Sequence, residues 1–391
     1  MMETKLPDDL LTRRKRVQNA MQQMNVDGCL LTMDVNLYYM TGRVFSGYFY
    51  LPTEGEPVSF VKRPNDFTGE GVASIRKPEQ IAEFFTGRGM SFPKRLLLET
   101  DEITYNECIR LQEVFQSPET GNATTLMRRV RMIKTPWEIE QFRLSARQHA
   151  LTYSEIPSCF RPGMTDVAFQ AGIEQRMRLN GSFGVFHAFG SNMDIFMGSV
   201  LTGSNAEAPS PYDFALGGGG QVPLCPIGAN GTVLKEGMAV MVDMVGNYTA
   251  YLTDMTRVFA TGKLPELAYR AHQTSIGIQE KIMQTARPGV ACAALYDLAL
   301  AEVEKQGLAG YFMGTRQQAK FVGHGIGLQI NEPPVLTSRS KEELQPGMML
   351  ALEPKFVIPG VGAVGIENSF LVTETGLEKI TLFEEDIIPI Y

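Results

Sequence analysis

The chain has 391 residues, 44% hydrophobic and 20% charged, with a formal net charge of −7. This length exceeds one ordinary core and predicts two or three domains. The acidic balance argues against nucleic acid or an anionic membrane as the main partner, and no run approaches the ~18 apolar residues of a membrane span. Five scattered cysteines (Cys29, Cys108, Cys159, Cys225, Cys292) fit unpaired thiols in a reducing compartment. The opening MMETKLPDDLLTRRKR has no apolar stretch that could act as a signal peptide, so a cytoplasmic location is expected.

From Leu10 to Gln23 the pattern is an amphipathic, Arg-rich helix, and Asp27-Gly28 turns the chain into a short buried strand, CLLTM. NLYYMTG (Asn36 to Gly42) and SGYFYLP read as strands joined by a glycine turn, and PVSFVKR as another strand. Helix and loop follow from Lys77 to Phe92, then a strand at LLLET and a helix from Ile103 to Phe115. Such alternation predicts a small α/β domain over residues 1–123. Having no cluster of His, Cys and acids, it reads as a scaffold or dimerisation domain; Tyr38, Tyr39 and Tyr48 are its only candidates for touching a substrate. The polar stretch from Ser117 to Thr125 opens a second domain, residues 124–391. Its first long helix starts at Pro136, with Thr135 as N-cap and Glu138 behind it.

This second domain repeats itself. LKEGMAVMVD (Leu234 to Asp243) and LQPGMMLALE (Leu344 to Glu353) each run from a Leu through Gly-Met and an apolar stretch to a carboxylate. Arg161-Pro162-Gly163 and Arg287-Pro288-Gly289 each join a long helix to a second one, in the same order relative to those stretches. Two α/β halves facing each other, with a site in the seam, are expected. The first half adds Asp254 eleven positions after Asp243, on a return strand read as alternating through Tyr248, Ala250 and Leu252. The second adds Glu367 after Glu353. Four converging carboxylates would repel severely without cations. With His324 in FVGHGIGLQINEPP the donors suit Mn²⁺, Fe²⁺, Co²⁺ or Zn²⁺, and the lack of thiolates disfavours a structural zinc site. His149 and His272 read as ordinary helix residues.

In NLYYMTG, RMIKTPWEIE, VDMVGNYTAYLTDMTR, GHGIGLQINEPP, LEP and GIENSFLVTETG the chain resembles the pita-bread metallopeptidases, which include aminopeptidase P, prolidase, methionine aminopeptidase and the metal-free creatinase. The resemblance implies an α/β (α+β) chain: a creatinase-type N-terminal domain before a pita-bread domain of two pseudo-symmetric halves. It makes Asp243, Asp254, His324, Glu353 and Glu367 the ligands of two divalent ions, Mn²⁺ before Co²⁺, Zn²⁺ or Fe²⁺, with Asp254 and Glu367 bridging. The implied chemistry is metal-assisted hydrolysis of a short peptide or small amide. In it, a hydroxide between the cations attacks the carbonyl, and Glu353 relays the proton to the leaving amine. A homodimer is implied as well.

Three positions depart from members that cleave Xaa-Pro bonds: Ser210 and Asn331 where they carry His, and Gly365 where they carry Arg. By the resemblance those groups position substrate and stabilise the tetrahedral intermediate, and losing one such donor costs roughly 2.7–4 kcal/mol. His187, between Phe186 and Phe189, is the replacement catalytic candidate, its alternative being a packed histidine. Tyr212, Asp213 and Asn331 are candidate substrate contacts. Gly217 to Gly220 reads as a mobile loop or a surface insertion. The departures also admit a small-amide hydrolase or lyase on the same scaffold, or a metal-stabilised binding protein.

Overall fold

The computed structural model describes residues 6–190, 196–212 and 214–391, which form two compact units, Met1–Arg131 and Met132–Tyr391. The expected limit after residue 123 falls eight residues earlier, at the start of a helix. Among the described residues no helix is long and apolar enough to cross a membrane.

The first unit runs α1 (Leu6–Met24), β1 (Gly28–Leu31), α2 (Asp34–Thr41), β2 (Ser46–Pro52), β3 (Val58–Arg63), β4 (Val72–Ser74), α3 (Glu79–Gly87), β5 (Arg95–Leu98), α4 (Tyr105–Val114), β6 (Glu119–Asn122) and α5 (Ala123–Met132). Its six strands are ordered β4-β3-β2-β1-β5-β6, over a core that includes Leu30, Tyr50, Phe60, Phe85 and Phe115. NLYYMTG, expected as a strand, is helix α2. Leu37, Tyr39 and Met40 are all fully buried, and the less buried side, Asp34, Tyr38 and Thr41, has too few polar residues for a helical period to stand out. Gly42 ends the helix at φ 73°, a left-handed cap that favours glycine, with its N–H donating to the Tyr38 carbonyl. Tyr39 and Tyr48 are packed in the core of this unit.

The second unit runs α6 (Pro136–Glu155), α7 (Asp166–Leu179), β7 (Gly198–Thr202), β8 (Met238–Gly246), β9 (Thr253–Thr261), α8 (Glu266–Thr285), α9 (Cys292–Lys305), β10 (Gly323–Gly325), β11 (Glu332–Val335), β12 (Met349–Leu352), β13 (Lys355–Ile358), β14 (Gly362–Gly365), β15 (Asn368–Val372), β16 (Leu377–Lys379) and β17 (Ile388–Pro389). One sheet is ordered β13-β14-β7-β8-β9-β17 and the other β11-β10-β12-β15-β16. Helix α6 opens with the expected capping box, Thr135 and Glu138 each bonding the other's backbone N–H.

The repeat is visible in the hydrogen bonds. Helices α6 and α8 have 20 residues each, and α7 and α9 have 14 each. Leu234 donates its N–H to Met164 at 2.9 Å, and Leu344 to Val290 at 2.9 Å, so each repeated stretch is pinned to the turn after its own Arg-Pro-Gly. The Met238 sulfur accepts from the Lys235 N–H, as the Met348 sulfur does from Gln345.

The halves differ in how they return. The segment between β8 and β9, including Tyr248, Ala250 and Leu252, is a loop and not the alternating strand expected. In the second half the chain leaves the five-stranded sheet at Glu353-Pro354, forms the β13–β14 hairpin in the other sheet, and returns at Ile366-Glu367. Both glutamates therefore sit where the chain changes sheets.

Candidate metal centre

The two aspartates are aimed by their strands, and the two glutamates by the turns between sheets. Asp243 lies opposite Thr256 across the β8–β9 ladder and Asp254 opposite Val245, which makes the two acids diagonal neighbours on one face. Thr256 and Glu367 exchange backbone hydrogen bonds at 3.3 and 3.2 Å, tying the second half's acid to the first half's strand. The fully buried Arg257 holds that junction, donating to the carbonyls of Thr256 and Glu367 and to Asn368 Oδ1.

Helices grip the same places from behind. Ser145 on α6 donates to the Gly246 carbonyl at 2.8 Å, and His149, one turn on, bonds Thr253 beside Asp254. Ser275, at the matching position of α8, donates to the Pro354 carbonyl and accepts from the Ile366 N–H. Gln279, one turn on, donates to the Leu352 carbonyl at 2.6 Å. His272, expected to be an ordinary helix residue, is buried: its Nε2–H donates to the Glu385 carbonyl, and its Nδ1 accepts from the Gly365 N–H.

Two groups of potential ligand atoms result, Asp254–His324–Glu367 and Asp243–Glu353–Glu367, the atoms of each lying within 4.8 Å of one another. All five expected ligands therefore converge. His324 donates Nδ1–H to the Gly325 carbonyl at 3.1 Å, leaving Nε2 facing Glu353 Oε1 at 3.4 Å and Asp254 Oδ2 at 4.0 Å. Among the described residues Glu367 Oε1 is buried with no hydrogen-bond partner. An unpartnered buried carboxylate oxygen beside an imidazole whose Nδ1 is committed to the Gly325 carbonyl, so that Nε2 is the atom turned to the acids, fits a cation on Asp254, His324 and Glu367.

The second group is different. Lys355, the first residue of β13, sends Nζ into it, 2.7 Å from Asp243 Oδ2, 2.8 Å from Glu353 Oε2 and 2.8 Å from Glu367 Oε2. Sequence reasoning passed over this lysine, although its place two residues beyond Glu353 puts it on the same side of an extended chain. The expectation of two ions on five ligands thus meets an ammonium already seated among three of them.

Charge states follow from this crowding. Burial, reinforced by Glu367 and Asp243, raises Asp254 well above the usual carboxylate range. Burial and the neighbouring carboxylates raise Glu367 to about 8 against the pull of Lys355. Burial opposes charge on Glu353 too, but the Lys355 ammonium and His324 bring it down to about 2. His324 is raised to about 9, burial being outweighed by Glu353 and Glu367.

The outer candidates fare differently. His187 is exposed, joins neither ligand group among the described residues, and is fixed through its carbonyl, which accepts from the Ile330 N–H. Phe186 and Phe189, expected to flank it, are half-buried, and Phe183 and Val185 are exposed. Asn331 uses both ends of its amide on the Phe189 backbone, accepting at 2.6 Å and donating at 2.8 Å, which positions the His187 segment. Tyr212 is half-buried against Phe214, and Asp213 lies outside the described residues. Gly217 to Gly220, expected as a mobile loop or a surface insertion, is partly packed. Gly217 and Gly218 are buried, the Gly217 carbonyl accepts from Gly228, and a Cβ on Gly218 would lie 2.4 Å from Leu201.

Gly365 belongs with Lys355. It is the lysine's cross-strand partner, at φ +131°, and a Cβ there would stand 2.6 Å from the Pro354 carbonyl oxygen and 2.9 Å from Lys355 Cα. The glycine and the lysine are one arrangement, and the departure seen in the sequence at 365 has its counterpart at 355.

Comparison with known proteins agrees with this architecture. The family model for metallopeptidase family M24 matches residues 140–374, and that for the creatinase/prolidase N-terminal domain matches residues 13–133. An uncharacterized peptidase of Bacillus subtilis, YqhT, is 26% identical over 384 residues, covering 96% of this chain and 99% of its own. The Xaa-Pro dipeptidase of Pyrococcus furiosus is 22% identical over 382 residues, covering 96% and 99%. Among solved structures, an Xaa-Pro dipeptidase from Bacillus anthracis superposes with a TM-score of 0.81 at 23% identity, over 97% of this chain and 100% of that one. The prolidase of Pyrococcus horikoshii gives 0.76 at 20% identity, over 95% and 99%. With its creatinase-type N-terminal domain and its pita-bread domain of two matched halves, this chain belongs to metallopeptidase family M24.

Proposed function

We propose that the protein is a metal-dependent hydrolase acting on short peptides or small amides, with Asp254, His324 and Glu367 as its cation ligands. The observation that carries this reading is the buried, unpartnered Glu367 Oε1 beside His324 Nε2 and Asp254. A divalent cation there supplies Lewis-acid polarisation of a carbonyl and a nucleophile at neutral pH. The chain's own residues do the rest. Gly325 orients the His324 ring, Arg257 and Thr256 fix Glu367, and Glu353 Oε1, 3.4 Å from His324 Nε2, would exchange a proton with substrate.

Proline selectivity is not part of the proposal. Gly365 offers no side chain, and the Asn331 amide is engaged by Phe189. An amide hydrolase without Xaa-Pro preference is the reading these two positions favour. Dimerisation through the N-terminal unit is proposed alongside it, to be read from the mass in solution.

The test is turnover of Xaa-Pro dipeptides, other dipeptides and small amides with Mn²⁺, Co²⁺, Zn²⁺ or Fe²⁺. Chelated protein and Asp254→Ala should lose at least about 10²-fold in rate, the scale of one missing electrostatic group. Equal turnover with and without cation would refute the proposal.

A further inference from the structure

We infer that the ε-ammonium of Lys355 is a built-in replacement for one of two cations, so that the centre takes a single divalent ion, on Asp254, His324 and Glu367. This rests on the cation-binding part of the proposed function and not on its hydrolytic part.

An ammonium has three protons and no lone pair. Here each of the three points at a different carboxylate, and the acceptors are Asp243, Glu353 and Glu367, the members of the second ligand group. A divalent ion on that group would have to stand where the nitrogen stands. Nor has the side chain an easy way out. Lys355 is fully buried, its N–H faces the Met313 sulfur, and its carbonyl accepts from the Met313 N–H at 2.8 Å. On the opposite strand Gly365 leaves just the space its backbone needs.

The other group keeps a vacant valence where the lysine does not reach. Glu367 divides its oxygens: Oε2 accepts from Lys355 and from Thr256 Oγ1 at 2.9 Å, whereas Oε1 has no partner. His324 presents Nε2 on that same side. Four carboxylates with one ammonium seated among three of them attract a divalent ion strongly. A second would turn a buried cavity positive and press two cations against the lysine. The lysine therefore fixes the number of ions and shifts the chemistry to one Lewis acid with a permanent, non-exchangeable positive neighbour.

The test counts ions on the full-length protein, without substrate. Chelator-stripped wild type and Lys355→Ala are saturated with Mn²⁺, desalted, and analysed for bound metal, with circular dichroism to establish folding. The expected result is one ion per chain for wild type and two for Lys355→Ala. Two ions in the wild type, none, or one in both folded proteins would each overturn the inference. Should Lys355→Ala fail to fold, electron paramagnetic resonance of Mn²⁺-loaded wild type decides alone. The resolved hyperfine spectrum of an isolated ion supports the single site, and the broadened spectrum of a spin-coupled pair refutes it.

Discussion

The two halves of the catalytic unit carry the same scaffold and different chemistry. Each has a 20-residue helix whose serine holds a carbonyl near the site, an Arg-Pro-Gly turn, and an apolar stretch that leads to a carboxylate. Two residues past that carboxylate the first half has Val245, buried, and the second has Lys355, its ammonium among three acids. One turn past the serine the first half has His149 and the second Gln279. Duplication therefore supplied the frame twice, while the charge that decides how many cations enter is present on one side only. Symmetric backbone geometry does not imply symmetric ligand sets.

Breaking the asymmetry at its source has the largest expected effect. In chelated protein, Lys355→Met leaves buried carboxylates unpaired and should cost roughly 3–5 kcal/mol in urea unfolding. Val245→Ala, at the matching position of the first half, should cost about 2 kcal/mol by lost apolar burial alone. Equal losses would mean that the ammonium adds nothing to the fold. Gly365→Ala comes next, at roughly 1–3 kcal/mol, because it forces a side chain into a left-handed backbone against Pro354 and Lys355.

The His149/Gln279 difference gives a pH signature. Burial, with Arg257 nearby, lowers His149 to about 3. Between its unfolded value of ~6.5 and 3 the unfolded chain takes up a proton that the native chain does not. Stability present above pH ~6.5 is thus lost as the pH falls, by about 1.4 kcal/mol per unit from this group. His149→Gln, copying the second half, should flatten that part of the stability–pH curve; an unchanged slope would assign it to other groups. The smallest effects should be the matched ones. Ser145→Ala and Ser275→Ala each remove a bond to a carbonyl near the site and should cost roughly 1 kcal/mol apiece.

Much of this was legible in the sequence. The repeated Leu–Gly–Met stretches and the paired Arg-Pro-Gly turns led to the two halves, the Thr135 cap to the start of α6, and the acid positions to a convergence the structure reproduces. What escaped notice did so for physical reasons. Helix α2 is mostly buried and offers only a weak helical period, and the loop at 247–252 mimics strand alternation with Tyr248, Ala250 and Leu252. The grips of Ser275, Gln279 and Arg257 depend on pairings between distant segments that no local pattern encodes. Lys355 was visible beside Glu353, but a lysine in an acidic neighbourhood usually reads as a surface ion pair. Only the sheet change at Pro354 shows that it points inward.

The central claim is that an internal ammonium occupies one of the two cation positions. Diffraction from wild-type crystals grown in saturating Mn²⁺, at a wavelength where manganese scatters anomalously, tests it most directly. The account predicts one anomalous peak per chain, bounded by Asp254, His324 and Glu367, with Lys355 Nζ still on Asp243, Glu353 and Glu367. Two peaks, with the lysine displaced from the carboxylates, would contradict it.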